Sequence, residues 1–140
     1  MRLVVDTNIL FSFFRENPVR SIIINAQLIG LDLYTPEFAI EELKVHKKDL
    51  VKYTKVHTTQ QLDNIFELLP KYVKTIPLEV YVEEKEQGKK ISPDPKDSPF
   101  FSLALKLNAH IWSNEPRLKK QTSLNVYSTR EIMALVKNKI

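Results

Sequence analysis

No cysteine occurs among the 140 residues, and that absence removes disulfide scaffolds, thiolate zinc sites and a cysteine nucleophile together. Glycine is almost as scarce. Gly30 and Gly88 are the only two, too few for a phosphate-cradling loop or a dinucleotide-binding fingerprint. His46, His57 and His110 lie too far apart to form a metal-binding pair on one helical turn. No apolar run approaches the roughly 20 residues that a bilayer crossing needs. Met1 and Arg2 lead into only three apolar residues before Asp6, short of the apolar stretch of a secretory signal. The expected compartment is therefore the cytoplasm. Any chemistry must rest on carboxylates, hydroxyls, lysine and arginine.

The length suits one compact domain spanning residues 1–140, and a hydrophobic content of 43% is enough to build its core. The formal net charge of +4 suits a polyanion such as RNA, and it equally suits an ordinary solvated surface. Charge supports a nucleic-acid partner without establishing one.

The punctuation predicts strands alternating with helices. Residues 2–5 read as a short buried strand closed by Asp6, followed by a helix over 7–16 that Asn17-Pro18 breaks. Pro18 and Gly30 bracket a second helix, and 31–34 alternates as a half-buried strand. Thr35 as cap and Pro36 in the first turn open a helix running to about Lys55. A capping box at 58–61 introduces a helix over 59–70, residues 74–78 form a short strand or edge, and 79–87 form a polar helix. Residues 88–96 carry two prolines and a lysine pair and read as loop. Residues 97–107 form a helix, 110–113 and 124–127 strands, and a second capping box at 128–131 opens a helix to about Lys139. This alternation predicts a largely parallel sheet with helices on both faces.

In such a sheet ligands bind at the carboxyl ends of the strands. Asp6 stands at that end of the first strand as a turn former or a ligand, with Thr7 and Asn8 able to hold it in place. Glu42 shares a predicted helix face with Phe38, Ala39, Leu43 and His46, whereas Glu41 falls with Glu37, Val45 and Lys48. A carboxylate on an apolar face is costly unless it is paired or bound to a cation, so Glu42 is the inward candidate. Asp97 opens a helix, where a plain N-cap would explain it equally well. Asp94 fits a turn. Glu115 follows a strand after Ser113, which can orient a ligand or water, although Asn114-Glu115-Pro116 also reads as a turn. Each acid has a structural explanation alone. Together they converge on one sheet edge, where clustered carboxylates call for a cation, and hard oxygen donors suit Mg²⁺ or Mn²⁺.

The stretches LVVDTNIL, TPEFAIEEL, DPKDSPFFSLALKLNAHIW and the following SNE resemble the PIN-domain ribonucleases, the family that includes the toxin half of many VapC-type toxin–antitoxin pairs. The resemblance runs nearly the whole chain. It implies a three-layer α/β/α domain and metal-assisted hydrolysis of RNA. The family's first acid falls on Asp6, its helix glutamate on Glu42 and its third acid on Asp97. Where the family usually carries a fourth aspartate this chain has Glu115, one methylene longer and followed by Pro116. The site expected on this basis is Asp6, Glu42, Asp97 and Glu115, supported by Asn8, Ser113 and Asp94. Lys89, Lys90, Lys96 and Arg117 are candidates for phosphate contact. The apolar side chains of residues 7–16, with Ile22, Ile23 and Ile24, suggest a homodimer contact beside the core. An antitoxin partner is implied by family membership alone. A catalytically silent, RNA-binding or scaffold version of the domain is the alternative. A phosphoacceptor domain fits poorly, since it would place an acidic pair after the first strand, and Asp6 stands alone there.

Overall fold

Five short strands set the frame of the computed structural model, which describes residues 1–54 and 58–137. β1 (Arg2–Val5) lies at the centre, with β2 (Asp32–Pro36) and then β3 (Lys74–Ile76) on one side. β4 (His110–Trp112) and β5 (Val126–Tyr127) lie on the other, giving the order β3-β2-β1-β4-β5. Every pairing is parallel, so the expected largely parallel sheet is wholly parallel among the described residues. Leu3, Val4 and Val5 are completely buried, as a strand covered on both faces must be.

Helices fill the crossovers. α1 (Thr7–Ser12) and α2 (Pro18–Ile24) join β1 to β2, and α3 (Glu37–Val45), α4 (Lys47–Thr54) and α5 (Thr59–Leu68) join β2 to β3. α6 (Leu78–Tyr81), α7 (Lys85–Ile91) and α8 (Ser98–Leu107) return the chain across the sheet to β4, and α9 (Thr129–Val136) follows β5. The first two crossovers move one way along the sheet and the third moves back. Right-handed connections therefore put them on opposite faces, completing an α/β/α sandwich. Described helices include none long and apolar enough to cross a membrane.

Several expected boundaries shift for identifiable reasons. The helix predicted over 7–16 ends at Ser12, because the Asn17 side-chain amide donates back to the Ser12 carbonyl at 2.8 Å while its oxygen caps α2 through the Arg20 N–H. Gly30, at φ 80°, ends the short 3-10 turn that follows α2. The long helix from Pro36 divides at His46, whose N–H is shared between the Glu42 and Leu43 carbonyls. Its expected end at Lys55, and that of the last helix at Lys139, lie outside the described residues. Thr35 does not cap α3. It is fully buried near the end of β2, its hydroxyl donating to the Val5 carbonyl at 2.9 Å, and Pro36 takes the cap position.

The largest departure is the loop predicted over 88–96. Gly88 sits inside α7, which continues to Ile91, so the loop begins only at Ser92. Gly88 is buried against α8. A Cβ there would lie 2.0 Å from Ser102 Oγ and 2.9 Å from the Ser102 backbone nitrogen. The glycine therefore permits a close helix crossing instead of ending a helix. The second capping box forms as predicted, Ser128 and Glu131 satisfying each other's backbone N–H groups.

Candidate active site

Strand order reverses between β1 and β4. β1 is followed by its neighbour on one side, and the chain reaches its other neighbour only after crossing back. The crevice at the carboxyl ends of two such strands is where open parallel sheets bind ligands. Asp6 immediately follows β1 there and Ser113 immediately follows β4.

Asp6 is held tightly. Its backbone N–H donates to the Trp112 carbonyl at 3.2 Å, and its carboxylate accepts the Ile9 N–H at 2.9 Å as the cap of α1. The hydrogen bond from Thr35 fixes the Val5 carbonyl one residue earlier. The turn-forming and site-forming explanations of Asp6 thus coincide in one residue. With 6% of its surface exposed, the carboxyl is pushed up to about 6, chiefly by burial and further by the charge of Asp97. Hydrogen bonds from the Ser113 side chain and from the Ile9 and Asn8 backbone N–H groups oppose that rise. Ser113 is itself buried, with its Oγ accepting the Glu115 N–H at 3.0 Å. The Asn8 side chain is exposed, so the structure places the contribution of Asn8 on its backbone.

Asp97 precedes α8, but its side chain makes no capping hydrogen bond. A carboxylate at that position without its usual local partner leaves the simple cap explanation unsupported. Asp97 is half-buried and its carboxyl is raised, first by burial and then by Asp94, Glu115 and Glu42, with Arg117 acting against them. Five acids from four segments thus reach one neighbourhood.

Glu42 corrects the periodicity argument in part. The buried stripe of α3 is Ala39, Ile40 and Leu43, and both Glu41 and Glu42 are exposed. Glu42 flanks the stripe on the side that acts on Asp97, whereas Glu41 is not among the groups that shift Asp97. Asp94 makes the expected turn, accepting the Lys96 N–H at 3.0 Å, and its other oxygen faces Arg117. Glu115 caps the 3-10 turn Pro116–Lys119 and pairs with Arg117 Nε at 3.1 Å. The Arg117 guanidinium reaches Asp94 at 3.4 Å, so it bridges two acids from separate loops. Lys89, Lys90 and Lys96 are exposed.

Among the described residues, no three histidine or acidic side chains already enclose an ion position. The donor chemistry nevertheless fits a hard divalent cation. All the convergent groups offer carboxylate oxygen, and Asp6 and Asp97 are both raised, first by burial and then by neighbouring acids, a cost that a cation would offset. Two residues hold roles other than the ones the sequence suggested. Thr35 looked like a helix cap, and Arg117, a candidate for phosphate contact, also reaches Asp94 across 23 positions.

Comparison with known proteins agrees with this fold. The family model described as PIN domain matches residues 4–137. Among curated proteins, none matches the chain. Among solved structures the chain is similar to VapBC2 from Rickettsia felis, a crystal structure bound to a DNA fragment from its promoter. The TM-score is 0.61 at 13% identity, covering 91% of this chain and 98% of that one, a likeness of fold. With the family model spanning almost every residue, the chain belongs to the PIN domain family, whose members are generally nucleases.

Proposed function

We propose that this protein is a divalent-metal-dependent endoribonuclease that hydrolyses RNA phosphodiester bonds. One observation carries the reading. Asp6, buried at the switch point of the sheet, shares its electrostatic field with an Asp97 that is not used as a helix cap. A carboxyl held near 6 at the end of the central strand is a stability cost that a cation would offset.

Asp6 and Asp97 would hold the ion, with Glu42 at the rim supplying further negative charge. When bound, Mg²⁺ or Mn²⁺ supplies Lewis acidity toward a phosphoryl oxygen and lowers the pKa of coordinated water. Ser113 and the first turn of α1 donate hydrogen bonds to the Asp6 carboxylate, which favour its charged form and hold it in place. The exposed Lys89, Lys90 and Lys96 would receive the RNA backbone as point charges, without reading sequence. Glu115 is the expected fourth ligand, and its pairing with Arg117 is the observation that favours the alternative of a catalytically silent, RNA-binding or scaffold domain.

Calorimetric titration with Mn²⁺ tests the reading on wild type, Asp6→Asn and Asp97→Asn. Binding by the wild type that both substitutions abolish, with RNA cleavage lost in parallel, is the expected result. A folded wild type that binds no Mn²⁺ overturns it in favour of the silent domain.

Association with an antitoxin and with a second copy belongs to the same proposal. Of the residues expected at a dimer contact, Ile9, Leu10, Phe13, Phe14, Ile22 and Ile23 are buried in the core, and Ile24 is exposed. Sedimentation of an Ile24→Glu variant would test that contact.

A further inference from the structure

The sequence offers a fourth acid at this site, and the structure ties it to a cation of the chain's own. Glu115 receives Arg117 at its side chain, Nε to Oε1 at 3.1 Å, and at its backbone N–H, 3.4 Å from the same oxygen. The other end of the guanidinium reaches Asp94 Oδ2 at 3.4 Å. Asp94 is meanwhile fixed by the Lys96 N–H and by its own carbonyl, which accepts the Ser92 hydroxyl at 2.6 Å. One planar fork therefore spans the loop before α8 and the loop after β4, the two segments that flank Asp97. Arginine suits this role, since its guanidinium stays charged and its donors are set for carboxylates.

A cation can be supplied to these acids from inside the chain or from solvent. Arg117 and a metal ion would compete for Glu115, because a carboxylate oxygen engaged by a guanidinium has lost much of its capacity to ligate.

We propose that Arg117 is an internal counter-cation that withholds Glu115 and Asp94 from the metal, so that the chain binds through Asp6 and Asp97 while a further ligand set stays latent. This rests on the metal-site reading above. It assigns the fourth acid a holding role in the resting protein instead of a ligating one. Arg117 is a positioning residue, acting through Glu115. Release of the fork, by an RNA phosphate offering the guanidinium a better anion, would hand Glu115 to the site only when substrate is present.

A double-mutant cycle read by Mn²⁺ calorimetry tests this without relying on activity. Arg117 is exposed, so its replacement leaves the core untouched. In the wild type, Glu115→Gln should change Mn²⁺ affinity by less than about twofold, because the residue is already engaged. Arg117→Gln should tighten binding about tenfold or add a second ion, and Glu115→Gln in that background should remove the gain. Arg117 acting only as a distant charge gives additive effects, and additivity overturns the proposal while leaving the Asp6–Asp97 site standing. Binding absent from both the wild type and Arg117→Gln overturns the metal site itself and this proposal with it.

Discussion

Replacing Asp6 by asparagine should make the metal-free protein more stable and at the same time abolish its response to metal. The magnitude follows from burial. The Asp6 carboxyl rises from an ordinary 3.8 to about 6 in the folded chain. Ionising it there costs about 3 kcal/mol more than in the unfolded chain, at about 1.4 kcal/mol per pH unit of displacement. Below pH 3.8 the group is protonated in both states and contributes no penalty. Between 3.8 and about 6 the folded state holds the extra proton, so stability falls as pH rises through that window and levels off above it.

Asparagine has nearly the same shape and can still accept the Ile9 N–H, so Asp6→Asn should recover up to about 3 kcal/mol at pH 7.5 and little at pH 3.5. Unfolding entropy for a chain of 140 residues makes that about 10 °C in Tm. Saturating Mn²⁺ should reverse the ranking, since a ligand at about 1,000 times its Kd adds about 4.1 kcal/mol to the wild type and nothing to the variant. Thermal unfolding at both pH values, with Mn²⁺ and with chelator, gives all four comparisons. A variant less stable than wild type at pH 7.5 in chelator would refute the reasoning, because the buried charge would then be repaid within the protein.

Gly88→Ala should destabilise by about 1–3 kcal/mol in urea unfolding, since the new methyl lands on Ser102 and α7 must move from α8. Pairing it with Ser102→Ala should recover only part of the loss, because the Ser102 backbone nitrogen remains 2.9 Å away. Thr35→Val keeps volume but leaves the buried Val5 carbonyl without the hydroxyl, and should cost about 1–2 kcal/mol. The same substitution should weaken Mn²⁺ binding by loosening the strand end that carries Asp6, a shift that calorimetry would read. Asn114→Ala removes a 2.7 Å bond to the Thr129 N–H at the start of α9 and should cost about 1 kcal/mol.

The fold was legible wherever local chemistry alone decides. Val4 and Val5 ahead of Asp6 mark a buried strand whatever surrounds them, and Ser128 with Glu131 closes its capping box through contacts three residues apart. Gly88 and Thr35 misled for the opposite reason. A glycine beside two lysines reads as a loop until Ser102 of another helix is known to lie against it. A threonine before proline reads as a cap until β1 pairs alongside and offers the Val5 carbonyl instead.

The site divides along the same line. Asp6 could be placed at a strand end from its own neighbours, Glu42 was singled out by helix periodicity and Asp97 by its place at a helix start, and the resemblance of the surrounding stretches joined the three. What no spacing could supply is how the acids share charge, because that depends on which loops the parallel sheet brings side by side. Periodicity put Glu42 on the inward face of α3. Folding narrows the buried stripe to Ala39, Ile40 and Leu43 and leaves the glutamate on its shoulder, where it acts on Asp97 through space without being desolvated. Arg117 lies only two positions from Glu115, so that pair is a local event. Its reach to Asp94 exists because β4 lies beside β1, which brings the loop after β4 against the loop that leads into α8. An acid's identity as a candidate is thus written in the chain locally. Whether it faces a metal, a helix end or an arginine is decided by the topology.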